Sequence, residues 1–168
     1  PQPDELFTLE RFEKFIIGEM TWAQLNGMTM DEAYHIAEYG YSLFSQGRYH
    51  DAKTIFDALV IANPYDAYFH TMLGAVYQQL DMLEEAELEY STAVELDVEN
   101  LQAWVNRGEL RLNRGDIKQA LEDLGQAINL DPTGEQEAGS RALALGKAAA
   151  LALDSIQKLA QNTDETKP

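Results

Sequence analysis

Small residues recur in this chain at a fixed interval, and that interval constrains the fold more than any other feature. Gly40, Gly74 and Gly108 stand 34 residues apart, as do Ala52, Ala86 and Ala120. Other positions keep the same step: Gly47, Asp81 and Gly115; Tyr49, Leu83 and Ile117; Phe56, Tyr90 and Leu124; Leu59, Ala93 and Ala127. Pro64 and Pro132 close the first and third units, with Val98 in the corresponding place of the second. A helix-turn-helix unit that can bury its apolar face only against its neighbours produces such a pattern. The spacing predicts that the glycine of each first helix and the alanine of each second helix lie where the pair crosses closest, flanked by large apolar residues.

Thirty-four residues is the tetratricopeptide period. The expected fold is all-α, with three repeats at residues 33–66, 67–100 and 101–134 forming a short right-handed solenoid. An N-terminal helical segment at 4–28 precedes them, a capping helix at 135–161 follows, and a disordered tail is expected at 162–168. A chain of 168 residues, 45% of them apolar, suits a single domain with a sizeable core. In the leading segment Leu6, Leu9, Phe12 and Ile16 make an apolar stripe at helical spacing. Phe7 and Phe15 lie off it, placed either to touch the repeats or to serve a second subunit. A short helical turn is expected from Thr21 to Asn26, stopped at Gly27. Thr29 with Glu32 matches the capping box, so the first repeat helix should open near Met30. After Gly134, Leu145, Ala149, Ala152, Ile156 and Leu159 share one face of a long, Ala-rich helix, the natural cover for the last apolar face of an array. Gly146 is expected to weaken that helix locally.

Charge and motif content narrow the function. Asp and Glu outnumber Lys and Arg 29 to 12, a formal net charge of -17, so the surface field repels phosphate backbones and anionic lipid headgroups. Nucleic acid and membrane are not expected partners. Cysteine is absent, which excludes disulfides, thiolate metal sites and cysteine nucleophiles. No basic segment followed by an apolar run marks a cleaved signal, and runs such as Ala58 to Ala62 are too short to span a bilayer. His35, His50 and His70 belong to no metal-binding motif, and no Walker loop, dinucleotide fingerprint or nucleophile elbow occurs. The expectation is a soluble protein with no catalytic residues, cofactor or metal.

Binding is left. In a tetratricopeptide array the first helices line a concave groove through positions 2, 5, 9, 12 and 13 of each unit. Here these are Tyr34, Ala37, Tyr41, Phe44 and Ser45; then Tyr68, Thr71, Ala75, Gln78 and Gln79; then Gln102, Val105, Glu109, Leu112 and Asn113. The set lacks Lys and Arg, so it cannot clamp a terminal carboxylate. It suits an extended segment whose apolar side chains enter aromatic pockets beside amide and hydroxyl groups.

The segment MTWAQLNGMT before the first repeat, and then YSLFSQGRYHDAKTIFDALVIANPYDAYFHTMLGAVYQ, resembles the class II type III secretion chaperones. That family carries Thr-Xaa-Ala-Xaa-Leu ahead of the repeats, a tyrosine-rich first helix, Gly-Lys/Arg-Tyr-Xaa-Asp-Ala, Phe-Xaa-Ala-Leu, and an aspartate- and aromatic-rich turn before Leu-Gly-Ala. The match covers about Thr21 to Asp97. Ala37 and Ala62 depart from it, because a larger aromatic or leucine is common there. The resemblance implies a bacterial cytoplasmic chaperone, independent of ATP, that keeps hydrophobic translocator proteins soluble before export. It implies a client segment of the Pro-Xaa-Leu-Xaa-Xaa-Pro type, with Tyr41, Phe44, Ala58, Ala62 and Tyr68 lining its pockets. It further implies homodimerisation through the N-terminal region, with Phe7, Phe15 and Trp22 as candidates. Two alternatives stay open: a regulatory partner of a transcriptional activator, and a generic scaffold between folded proteins.

Overall fold

The computed structural model describes residues 8–164, which are helical throughout apart from short turns. In chain order the helices are α1 (Leu9–Ile16), α2 (Trp22–Leu25), α3 (Met30–Ser45), α4 (Tyr49–Ala62), α5 (Ala67–Gln79), α6 (Leu83–Leu96), α7 (Leu101–Arg114), α8 (Ile117–Leu130) and α9 (Glu137–Asp164). Where the length suggested one domain, the chain divides into two compact units, residues up to 92 and residues from 93 onward. The division falls inside α6, and so inside the second repeat.

The repeat turns follow from one backbone requirement. Gly47, Asp81 and Gly115, all at the same repeat position, take φ values of 75°, 60° and 87°. This left-handed conformation carries little penalty for glycine and is tolerated by aspartate. Entry to the helices is set by caps. The expected capping box is present: the Glu32 amide donates to Thr29 Oγ1 at 3.2 Å, and the Thr29 amide donates to Glu32 Oε2 at 2.8 Å. A second box joins Thr21 and Gln24 at the start of α2.

In the first unit, α3, α4 and α5 pack in sequence, and their seam contains Ala33, Ala37, Leu43, Ala52, Phe56, Leu59, Phe69 and Val76. The repeat glycines are indeed close-approach points, but their partners are not the alanines. A Cβ on Gly40 would lie 2.9 Å from the Phe56 ring, and one on Gly74 would lie 2.7 Å from the Tyr90 ring. Phe56 and Tyr90 are fully buried, so each glycine is the slot for the aromatic residue four places beyond the alanine.

The second unit repeats the device in aliphatic form, with Gly108 against Leu124. Asp123 is buried between two cations of α7, accepting from Arg107 Nε and Nη2 at 3.0 and 2.7 Å and from Arg111 Nη1 at 2.9 Å. Helix α9 packs on α8 and α7, burying Ala142 and Ala149. Gly146 lies at a close approach to α8, since a Cβ there would sit 3.1 Å from Ile128. Ile156, towards the C-terminal end of the expected stripe, is exposed, the side chain of Leu159 lies outside the described residues, and the helix continues to Asp164 instead of ending at 161. Among the described residues, no helix is long and apolar enough to cross a membrane.

The leading segment departs most from expectation. Leu9 and Ile16 point to solvent, whereas off-stripe Phe15 is half-buried. The Phe15 ring meets Trp22 edge-on, with centroids 5.7 Å apart. Arg11 explains the rotation: its guanidinium bonds the Gln24 and Leu25 carbonyls at the end of α2, which turns that side of α1 inward. Leu6 and Phe7 lie outside the described residues.

Candidate functional site

Residues 2 and 9 of a repeat are seven apart, about 20° from eclipsed on a helix, so both fall on one stripe of each first helix. In the first unit that stripe is tyrosine-rich. Tyr34 and Tyr41 of α3 are 42% and 53% exposed, and Tyr68 at the start of α5 is 38% exposed. The Tyr34 and Tyr68 rings lie 6.1 Å apart, and Phe69 approaches Tyr34 at 5.5 Å from the core side.

Asp66 fixes this arrangement. It caps α5 by accepting the Tyr68 and Phe69 amides at 3.0 and 3.2 Å through Oδ1, while Oδ2 accepts the Tyr34 hydroxyl at 2.7 Å. That bond, with burial and the Asp66 charge behind it, pushes the Tyr34 phenol up to about 12. The Tyr68 phenol is also raised, first by burial and then by neighbouring Tyr41, Glu38 and Asp66. Glu38 therefore shares the face. Its position four residues after Tyr34 and three before Tyr41 was the available sequence signal, and the consensus groove positions pass over it.

Position 5 behaves differently from expectation in all three repeats. Ala37, Thr71 and Val105 are 0%, 3% and 0% exposed. They precede the close-approach glycines by three residues, which rotates them into the helix seam instead of the groove. Thr71 also turns its hydroxyl inward to the Ala67 carbonyl at 2.7 Å. Phe44 is half-buried, packed on the first unit's core and edge-on to Tyr49 at 5.4 Å. Ala75 and Gln78 are half-buried, and Gln78 Oε1 accepts the Tyr90 hydroxyl at 2.8 Å. Ala58 is exposed and Ala62 half-buried on α4, the second helix of the hairpin, while the tyrosines stand on first helices.

Ile61, on the same side of α4 as Ala58, instead lines a cavity of about 390 Å³ with Phe15, Met20, Trp22, Pro64 and Tyr65. Trp22, Ile61 and Tyr65 are 47%, 71% and 61% exposed, so this is a second apolar surface of the first unit.

Between α5 and α6 lies a largely buried ionic joint. His70 Nδ1 is 2.6 Å from Glu89 Oε2 and Nε2 is 3.0 Å from the Pro64 carbonyl. The Pro64 carbonyl can only accept, as can Glu89 when ionised, so with both bonds made both ring nitrogens donate and the ring carries the imidazolium charge. Burial favours the neutral ring, but the bonds to Glu89 and Pro64, with the Glu89 and Asp66 charges, outweigh it and hold the pKa above its ordinary 6.5. A group raised on folding stabilises fully below its unfolded pKa, and the contribution is lost as pH rises through the folded value. The His70 Cε1 proton resonance should therefore titrate above 6.5, and the urea midpoint should fall as pH is raised past that transition. A His70 titration at or below the ordinary value would refute the assignment.

The sequence matches the tetratricopeptide repeat at residues 40–97 and again at 101–133. The chain belongs to the tetratricopeptide-repeat family. Low calcium response locus protein H of Yersinia pestis is 28% identical over 131 residues, 77% of this tetratricopeptide-repeat chain and 78% of that protein. The Yersinia enterocolitica type III secretion translocator chaperone SycD superposes with a TM-score of 0.71 at 25% identity, covering 77% of this chain and 98% of that one. PcrH, solved in complex with the chaperone-binding region of PopD, superposes with a TM-score of 0.69 at 26% identity, covering 75% and 96%. Within its family the chain resembles the class II type III secretion chaperones.

Proposed function

We propose that this protein is a cytoplasmic chaperone of type III secretion translocators, binding an extended segment of its client on the tyrosine face of α3 and α5. The observation that carries the reading is the face itself: three partly exposed tyrosine rings, of which Asp66 holds the Tyr34 hydroxyl and the Tyr68 amide, on a chain that resembles SycD and PcrH. A membrane-active client needs its apolar segments covered before export. Rigid aromatic side chains supply contact area at low entropic cost, and the net charge of -17 keeps the carrier soluble. No ATP-binding motif is needed, because binding and release are then matters of competing affinity.

The second apolar surface, around Phe15, Trp22, Ile61 and Tyr65, is our candidate contact for a homodimer. Its exposed rings and aliphatic side chains form a patch of the kind that soluble proteins cover. Sedimentation of the chain as a monomer at micromolar concentration would remove that assignment.

The chaperone reading is tested by co-expression with the hydrophobic secreted proteins encoded beside the gene, followed by pull-down of what stays soluble. The expected result is recovery of a protein that is insoluble when expressed alone. Recovery only of folded, independently soluble partners would overturn it in favour of a scaffold.

A further inference from the structure

The tyrosine face is not purely apolar, and the one carboxylate on it without a partner among the described residues, Glu38, limits what can lie on it. Tyr34, Glu38 and Tyr41 follow one another along α3 at i, i+4 and i+7, and Tyr68 faces them from α5 with its ring 6.1 Å from that of Tyr34. Asp66, the other acid here, is already engaged by the Tyr34 hydroxyl and two amides. Among the described residues, Glu38 has no hydrogen-bond or ion-pair partner. The exposed stripe offers it none, since it carries no Lys or Arg.

A wholly apolar segment laid across this face would strip water from the Glu38 carboxylate and return nothing, an unfavourable burial of charge. A segment that brings its own cation removes that cost and gains from the ring faces beside the carboxylate, whose negative quadrupoles attract ammonium and guanidinium groups. The stem of a lysine or arginine would meanwhile lie against the rings.

We infer that the client segment carries a lysine or arginine among its apolar residues, and that Glu38 with the rings of Tyr41 and Tyr68 forms the subsite that receives it. This rests on the chaperone reading and names the chemistry that reading leaves open. It distinguishes a translocator segment with a basic residue from one of equal hydrophobicity without it.

The test uses the full chain and dye-labelled peptides of the form Pro-Xaa-Leu-Xaa-Xaa-Pro, with alanine at the variable positions. Lysine is moved through those positions in turn, and norleucine and glutamate are then placed wherever lysine binds best. Fluorescence anisotropy should show the best lysine peptide binding about tenfold more tightly than its norleucine counterpart, with glutamate the weakest. Glu38→Gln should erase the difference between lysine and norleucine, and circular dichroism of the variant should match wild type. Equal affinity for lysine and norleucine on the wild-type chain, or a difference that survives Glu38→Gln, overturns the inference while the chaperone reading stands. If none of the peptides binds, the tyrosine-face reading fails and the inference falls with it.

Discussion

Gly74→Leu should unfold the first unit at markedly lower urea than wild type, with an unchanged slope of the transition. The position is filled before any side chain is added: a Cβ would meet two carbons of the Tyr90 ring at 2.7 Å. Tyr90 cannot easily move aside, because it is fully buried and its hydroxyl is held by Gln78 at 2.8 Å. Leucine improves helix propensity by up to about 1 kcal/mol over glycine, but overpacking of this kind costs about 1–3 kcal/mol and occasionally more. With no slack on the Tyr90 side, the loss should fall at the upper end of that range. A wild-type midpoint would mean that α5 and α6 are not in the register described.

That register is where the sequence was most legible. The period of 34 located the helices and turns, and the Thr29–Glu32 pair located the capping box, because these depend on local chemistry: glycine or aspartate where φ is positive, and a Thr-Glu pair where amides lack partners. It did not identify which residue fills each glycine slot. An interval records recurrence without direction, and Ala52 and Phe56 recur equally well. The same ambiguity placed Ala37, Thr71 and Val105 in the groove, although a three-residue offset from Gly40, Gly74 and Gly108 turns them into the seam. The joint of His70 with Glu89 was hidden for another reason: it depends on which side chains meet across helices, and spacing along one helix does not report that. The leading segment was misread because one polar residue, Arg11, overrode an apolar stripe by bonding the end of α2.

Tyr41→Ala combined with Tyr68→Ala should weaken client binding at least about 30-fold, some 2 kcal/mol, the cost typical of truncating a buried aromatic anchor. Neither hydroxyl is tied into the protein's own hydrogen bonds among the described residues, so the rings are free to serve a ligand. Tyr41 is 53% exposed, and its loss should leave stability within about 0.5 kcal/mol. Tyr68 forfeits its ring contacts with Tyr34 and Phe69, worth about 1 kcal/mol each. Affinity and stability can therefore be separated by reading a binding isotherm beside a urea curve for the same variant. The pair is a sharper probe than Tyr41 with Phe44, because Phe44 is partly committed to the core and Tyr49, and its removal would confuse the two effects. A double variant that stays folded and binds its client like wild type would show that the tyrosine face is not the docking surface, and would shift attention to Trp22, Ile61 and Tyr65 at the cavity beside α4.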